Sequence, residues 1–204
     1  LGLSGYTYRP EPEAKIHYEG ANYFKHTQRW NQVRFFYTAE TARKFVWQAG
    51  GETPHEESLP VKSDRLGTWK WKGNEWGTNA FAIRFPETNG LLAYGVTLES
   101  GPGIYFDNFS IRGNSGGSLK FLDPAFIHQF DAVQQYDLIV IQVGLNAVTN
   151  SLNNIRWYEA ELDRTFKHLK NCFPGKPILV VSVGDRGGKV GTEILTMRGV
   201  PAIV

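Results

Sequence analysis

The hydrophobic period of the chain changes near residue 100, and this change restricts the fold more than any other feature of the sequence. Before it lie short segments rich in β-branched and aromatic residues, at 33–37, 44–47, 67–71, 81–85 and 94–98. Gly, Pro and Asn separate these segments, and the pattern predicts strands. Asn89-Gly90 predicts a hairpin turn. Residues 1–100 are therefore predicted to form a β-sandwich or jelly-roll domain.

Residues 101–204 follow a different pattern. Residues 104–110 are predicted to form a strand, and residues 123–130 a short helical segment. Residues 136–143 are a near-continuous apolar run, which is typical of a parallel strand buried on both faces. Residues 153–171 carry apolar side chains at helical spacing, and residues 178–183 are a second apolar run. A strand, a helix and a strand with short links predict part of an α/β domain with a parallel sheet.

The overall composition narrows the possible partners. Lys and Arg number 22 against 20 Asp and Glu, a net charge of +2, so we expect no nucleic acid partner. No apolar run approaches the roughly 20 residues that span a bilayer. A single cysteine excludes a disulfide within the chain, and the five histidines show no metal-ligand spacing. We expect neither a metal nor an organic cofactor. The sequence does not determine the oligomeric state.

Ligands of open parallel sheets bind beyond the carboxyl ends of the strands. Three predicted loops lie there, at residues 112–117, 144–150 and 184–189. Each begins at or next to a glycine, and the first two contain the hydrogen-bond donors Asn114 and Asn146. Asp185 and Arg186 in the third loop are predicted to border a substrate, although a plain surface turn is an equally good interpretation.

Two of these loops resemble blocks of the SGNH/GDSL hydrolase family. Residues 107–115, with Gly113 at the end of a predicted strand, are similar to the block that supplies a backbone N–H to the oxyanion. Gly144-Leu145-Asn146 is similar to the Gly-x-Asn block. The resemblance covers about residues 104–189 and implies a flavodoxin-like, three-layer hydrolase domain. It also implies that Gly113 and Asn146 form an oxyanion hole, with Asn114 near the substrate.

The other two blocks of the family are missing from the sequence. Gly-Asp-Ser does not occur, and no Asp-x-x-His follows Gly188. The order of blocks in the family places the nucleophile before Leu1, the base after Val204 and the β-rich half as an insertion. The resemblance implies an esterase that deacylates, in particular deacetylates, a carbohydrate. That substrate class in turn implies the periplasm or the outside of the cell. The 204 residues alone are expected to be inactive.

Other interpretations of the same residues remain open. The chain is alternatively a non-catalytic carbohydrate-binding protein with a degenerate esterase domain. In that case Trp69, Trp71 and Trp76 form an aromatic platform for sugar rings, although core packing is the better explanation of these side chains. Gly113 and Asn146 can also serve only as a turn and a helix cap. The run 113–117 is similar to the serine loop of trypsin-like proteases, but the predicted helix and parallel strands contradict that fold, and Ser115 is predicted to cap a helix.

Overall fold

The computed structural model describes residues 2–23, 27–147, 152–183, 187–190 and 193–196 of the chain. Two compact units are present. The β unit is Tyr6–Phe109, and the mixed unit combines Leu1–Gly5 with Ser110–Val204. Strands predominate over helices in the described residues. No described helix is both long and apolar enough to cross a membrane.

The β unit consists of seven antiparallel strands in two sheets. The bounds are β1 Ala14–Glu19, β2 Gln32–Ala39, β3 Arg43–Ala49, β4 His55–Leu59, β5 Lys62–Lys72, β6 Ala80–Phe85 and β7 Leu91–Glu99. The order of strands is β1-β6-β3-β4 in one sheet and β5-β2-β7 in the other. All five strands predicted for this part of the chain are present, and two further strands, β1 and β4, were not predicted.

A single hydrophobic core lies between the two sheets and makes this unit a β-sandwich. Both sheets contribute fully buried side chains to it, among them Phe35 of β2 and Phe45 of β3. Each such side chain contributes about 1.5–3 kcal/mol through removal of apolar surface from water. The aromatic residues that are so frequent in this half of the sequence therefore fill the space between the sheets.

The turn at Asn89-Gly90 joins strands of different sheets. The Leu91 N–H donates to the Thr88 carbonyl oxygen at 2.9 Å, and Gly90 has a φ of +71°. A two-residue hairpin turn of type I′ requires positive φ at both central residues, whereas here only Gly90 has it. The turn was predicted correctly, but the hairpin was wrong, because β6 and β7 do not pair with each other.

The mixed unit contains short strands and two α-helices. A 3-10 helix at Gly117–Phe121 precedes α1, Pro124–Gln134. The Asp123 carboxylate accepts the Ala125 N–H at 2.9 Å and caps α1. The remaining bounds are β8 Ile139–Ile141, α2 Leu152–Cys172, β9 Ile178–Val180, β10 Gly187–Val190 and β11 Glu193–Thr196. Strands β8 and β9 pair in parallel, and α2 lies between them in the sequence. Strands β10 and β11 pair in antiparallel orientation.

The strand predicted at residues 104–110 is absent, since the segment has no regular secondary structure. Ile104 is fully exposed and Phe106 is 79% exposed. A strand needs a hydrogen-bonded neighbour, and none of the described strands pairs with this segment. Its apolar and aromatic residues therefore predicted a strand for which the described chain supplies no partner.

The parallel pair β8 and β9 is only partly buried, which corrects the prediction of burial on both faces. Ile141 is 6% exposed, whereas its neighbour Val140 is 39% exposed. On β9, Leu179 and Val180 are each about half exposed. Successive side chains of a strand point to opposite faces. The described elements therefore cover the sheet at Ile141 only and leave apolar side chains exposed on both faces of β9.

Helix α2 provides much of the core of the mixed unit. Its buried side chains include Tyr158, Leu162 and Leu169, at the spacing that the sequence predicts. Cys172, the last residue of α2, is completely buried. Burial raises the pKa of its thiol to about 11, and the negative charge of Asp123 adds to the shift.

Candidate functional site

Two loops of the mixed unit contain the residues that the sequence singles out. The first is a turn in which the Asn114 N–H donates to the Ile111 carbonyl oxygen at 3.2 Å. The second begins at Gly144, three residues after the end of β8, and its Ala147 N–H donates to the Gly144 carbonyl oxygen at 2.8 Å. Both turns leave their central residues, Gly113 and Asn146, exposed to solvent.

A direct hydrogen bond joins the two loops. The side-chain amide of Asn146 donates through Nδ2 to the backbone carbonyl oxygen of Asn114 at 3.1 Å. An asparagine amide carries two N–H donors, so one remains after this bond is made. Among the described residues, no acceptor takes it. Within the described part of the chain, Asn146 therefore has one amide N–H that joins the loops and one that has no protein acceptor.

Gly113 lies next to the carbonyl group that Asn146 contacts. Its φ of +82° is in the region that L side chains adopt rarely, which explains the glycine. A Cβ at this position would meet no atom within 4 Å, so the space in front of the residue is open. The Gly113 N–H donates to no acceptor within the described part of the chain. Two N–H donors, one backbone and one amide, therefore lie on adjoining loops.

The side chain of Asn114 shapes the first loop. Its Oδ1 accepts the Gly116 N–H at 2.8 Å, and its Nδ2 donates to the Ser118 hydroxyl at 3.1 Å. The cap predicted for Ser115 is wrong. Gly116 occupies the N-cap of the 3-10 helix, and no side chain caps that helix. The Asn114 side chain accepts the Gly116 N–H instead, and asparagine commonly accepts the backbone N–H two residues later in turns.

Tyr158 of α2 contacts both loops, and sequence reasoning missed this residue. Its hydroxyl donates to the Ser115 carbonyl oxygen. Its ring edge would lie 3.6 Å from a Cβ at Gly144. Burial raises the pKa of the Tyr158 phenol, so the group is the protonated donor at neutral pH. At helical spacing its ring predicted only core packing, and nothing in the sequence indicates which carbonyl its hydroxyl reaches.

Glu161 lies one turn of α2 beyond Tyr158 and is nearly buried. Lys120 of the 3-10 helix donates to Oε1, and Arg164 donates to Oε2 at 2.9 Å. The hydrogen bond from Lys120, together with Arg164, holds the pKa of the Glu161 carboxyl below its usual value. A Cβ at Gly117 would lie 3.0 Å from Oε1, so the start of the 3-10 helix rests on this carboxylate.

Asp185 and Arg186, the predicted substrate contacts of the third loop, lie outside the described residues. The prediction of a loop at residues 184–189 is wrong in part, because strand β10 begins at Gly187. Within the described residues, no group of His, Cys, Asp or Glu side chains has the arrangement of a metal site.

Two of the three tryptophans of the predicted platform pack in the β unit. Trp69 and Trp71 are partly buried against the core, and both contact the ring of Phe81. Trp69 also donates its indole N–H to Glu57 at 2.8 Å, as does Trp47. Core packing is thus confirmed for Trp69 and Trp71. Trp76 differs from them, since 73% of it is exposed.

Comparisons with known proteins give weak likenesses only. No protein-family model matches the chain, and no curated protein matches it. Among solved structures, it is similar to a family two carbohydrate esterase from Clostridium thermocellum in complex with cellohexaose, at 9% identity and a TM-score of 0.34, over 84% of this chain and 71% of that chain. It is also similar to the Tobacco streak virus coat protein dimer, at 9% identity and a TM-score of 0.26, over 53% of this chain and 89% of that chain. At these TM-scores neither likeness bears on the chemistry of the chain.

Proposed function

We propose that the two loops at Gly113 and Asn146 are the oxyanion hole of an ester hydrolase of the SGNH/GDSL type. The observation that supports this most is the hydrogen bond from Asn146 Nδ2 to the Asn114 carbonyl oxygen. It places the two sequence blocks side by side, although 32 positions separate them. The exposed Gly113 N–H and the second Asn146 N–H then supply two donors to one ligand oxygen.

The chemistry of ester hydrolysis needs such donors. A serine hydroxyl attacks the carbonyl carbon, a histidine takes the hydroxyl proton, and negative charge develops on the carbonyl oxygen. The Gly113 N–H and the Asn146 amide stabilise that charge. The histidine then returns the proton to the leaving alkoxide, and water repeats the sequence to release the acid. The sequence contains neither Gly-Asp-Ser nor Asp-x-x-His, so the serine and histidine come from outside these 204 residues in this proposal.

The substrate in this proposal is an acylated carbohydrate, and acetyl is the favoured acyl group. The family resemblance supports this class, and a substrate of this class implies a location in the periplasm or outside the cell. Asn114, Asp185 and Arg186 border the bound sugar. The open space in front of Gly113 is compatible with close approach of the ester to the backbone.

The test uses the protein encoded by the complete parent reading frame. Acetate release from acetylated xylo-oligosaccharides is measured for the wild type, Asn146→Ala and Asn171→Ala. Loss of one oxyanion donor lowers kcat by roughly 100- to 1000-fold in comparable sites, and we expect that loss for Asn146→Ala. Asn171 is an exposed asparagine near the end of α2 and serves as the control. Equal kcat values for all three proteins would contradict the proposal.

The isolated 204-residue chain provides a second measurement. We expect no turnover of p-nitrophenyl acetate, because donors to an oxyanion have no effect without a nucleophile. Turnover that disappears with Asn146→Ala would show that a nucleophile lies within these residues.

A second candidate function is carbohydrate binding without catalysis, and Trp76 favours it. The loop around this exposed residue is firmly held, since Arg29 donates to the carbonyl oxygens of Trp76 and Gly77, each at 2.7 Å. Asn74 Oδ1 accepts the N–H groups of the same two residues. An exposed indole on a fixed loop can stack on a pyranose ring.

Calorimetry with xylo- and cello-oligosaccharides tests this candidate. Binding that is lost in Trp76→Ala and kept in Trp157→Ala supports it, because Trp157 is similarly exposed but lies in the mixed unit. Absence of any heat change with the wild type argues against it.

A further inference from the structure

The hydroxyl end of Tyr158 lies between the loop after β8 and the loop before the 3-10 helix. Only 2% of the residue is exposed, and its hydroxyl donates to the Ser115 carbonyl oxygen. The same hydroxyl oxygen would lie 3.6 Å from a Cβ at Gly144, as would Cε1 of the ring. The phenol end therefore fills the space between the two loops.

These contacts close a ring of interactions around the proposed oxyanion site. Tyr158 bonds to Ser115 and lies beside Gly144, and Asn146 joins the loop that begins at Gly144 back to Asn114. Because Ser115 and Asn114 are adjacent, any shift of one loop strains either the phenol contact or the amide contact. Helix α2 thus supports both loops from their buried side through Tyr158.

We propose that Tyr158 is a positioning residue that sets the relative placement of the two oxyanion donors. This inference rests on the proposed function. Tyr158 does not touch the substrate in this arrangement, since the protein encloses it. It acts through Ser115 and Gly144, and the charge on the developing oxyanion is met by Gly113 and Asn146. The raised pKa of the phenol is compatible with this role, because the contact needs the protonated hydroxyl.

The principal variant is Tyr158→Phe in the parent-frame protein. It keeps the buried ring and removes only the donor to the Ser115 carbonyl oxygen. A small displacement of catalytic donors costs up to about 100-fold in rate, so we expect kcat to fall by roughly 10- to 100-fold. We expect KM to change little, because the lost contact affects the transition state more than ground-state binding.

A double-mutant cycle separates positioning from general destabilisation. If Tyr158 acts through the placement of Asn146, then adding Tyr158→Phe to Asn146→Ala lowers kcat much less than it does in the wild type. A purely structural effect of Tyr158→Phe gives the same factor in both backgrounds, and that result overturns the inference. Tyr136→Phe is the matched control, since Tyr136 precedes β8, at the opposite end of the strand from Gly144. It is expected to keep the wild-type kcat.

Stability measurements complete the test. Tyr158→Leu removes the ring and is expected to lose both stability and kcat, whereas Tyr158→Phe restores the stability and not the kcat. A wild-type kcat for Tyr158→Phe, combined with a low kcat for Asn146→Ala, contradicts only the role of Tyr158. A wild-type kcat for Asn146→Ala contradicts the proposed function itself.

Discussion

A Cβ atom at Gly116 would lie 2.9 Å from Cγ2 of Val143. The loop that contains Gly113 therefore packs against the residue that precedes Gly144 only because position 116 has no side chain. Gly116 also has a positive φ, of +96°, as Gly113 does at +82°. The two glycines share a backbone conformation but differ in their surroundings, since a Cβ at Gly113 meets open space.

The two glycines give the first prediction. Gly113→Ala is expected to destabilise the protein by about 1–2 kcal/mol, the cost of placing an L residue in the left-handed region. Gly116→Ala carries that cost together with an overpacking penalty of about 1–3 kcal/mol. Urea unfolding of both variants measures the difference. Equal free energies of unfolding would show that the loop moves away from Val143 without cost.

The second prediction concerns the pH dependence of stability through Glu161. The folded state lowers the pKa of this carboxyl, so its stabilising effect is present above the unfolded pKa of roughly 4.3 and is lost as the pH falls through the folded value. Glu161→Gln is therefore expected to be less stable than the wild type near neutral pH. It should also lose less stability on acidification.

Denaturant unfolding between about pH 3 and about pH 7 measures this difference. The control is Asp163→Asn, which removes an exposed ion pair to Lys167 on the same helix. Its stability should follow the wild-type curve, because exposed pairs contribute little. Parallel curves for the wild type and Glu161→Gln would contradict the prediction.

The third prediction concerns Glu57, whose carboxylate accepts the indole N–H groups of Trp47 and Trp69, both at 2.8 Å. Trp47 is nearly buried. Glu57→Ala leaves the indole N–H of Trp47 without this acceptor, and we expect it to lower the free energy of unfolding by about 1–3 kcal/mol. Tryptophan fluorescence during urea unfolding reports both the loss of stability and the changed surroundings of the indoles.

Glu56 provides the comparison on the same strand. It forms an exposed ion pair with Lys44 and points to the opposite face of β4. Glu56→Ala is expected to leave the unfolding midpoint nearly unchanged. A loss of stability in Glu56→Ala as large as that in Glu57→Ala would mean that general charge, and not the indole contacts, stabilises the edge of the sheet.

The fourth prediction tests the open face of the β8–β9 pair. Ile141→Ala removes a buried side chain and is expected to cost about 2–4 kcal/mol. Val140→Ala removes a partly exposed one and is expected to cost under about 1 kcal/mol. Thermal unfolding of the two variants decides the matter. A large cost for Val140→Ala would indicate that other parts of the protein cover this face.

The sequence predicted strands best where β-branched and aromatic residues cluster, as in β2 and β6. In β1, Ile16 and Tyr18 alternate with exposed polar residues, so the period-2 signal was present although the strand was not predicted. Strand β4 offered no such signal, because Leu59 alone is buried in it. Apolar runs, in contrast, predicted too much burial at β8 and β9, since hydrophobic pattern does not show whether a covering element is present.

The candidate site was predictable only in part. Gly113 and Asn146 stood out because the segments that contain them resemble two SGNH/GDSL blocks, and their role stays a prediction. Tyr158 was not predictable, since helical spacing explains a buried tyrosine without reference to any loop. The identity of its acceptor, the Ser115 carbonyl oxygen, depends on tertiary contacts across 43 positions of the chain.

Cys172 has a practical consequence for following how the two units open. It is the only thiol in the sequence, and it lies at the end of α2 in the mixed unit. With no exposed surface and a pKa of about 11, it reacts with a disulfide reagent only after that unit opens. The rate of thiol labelling thus reports opening of the mixed unit alone. Unfolding of the β unit does not change this rate unless the two units open together.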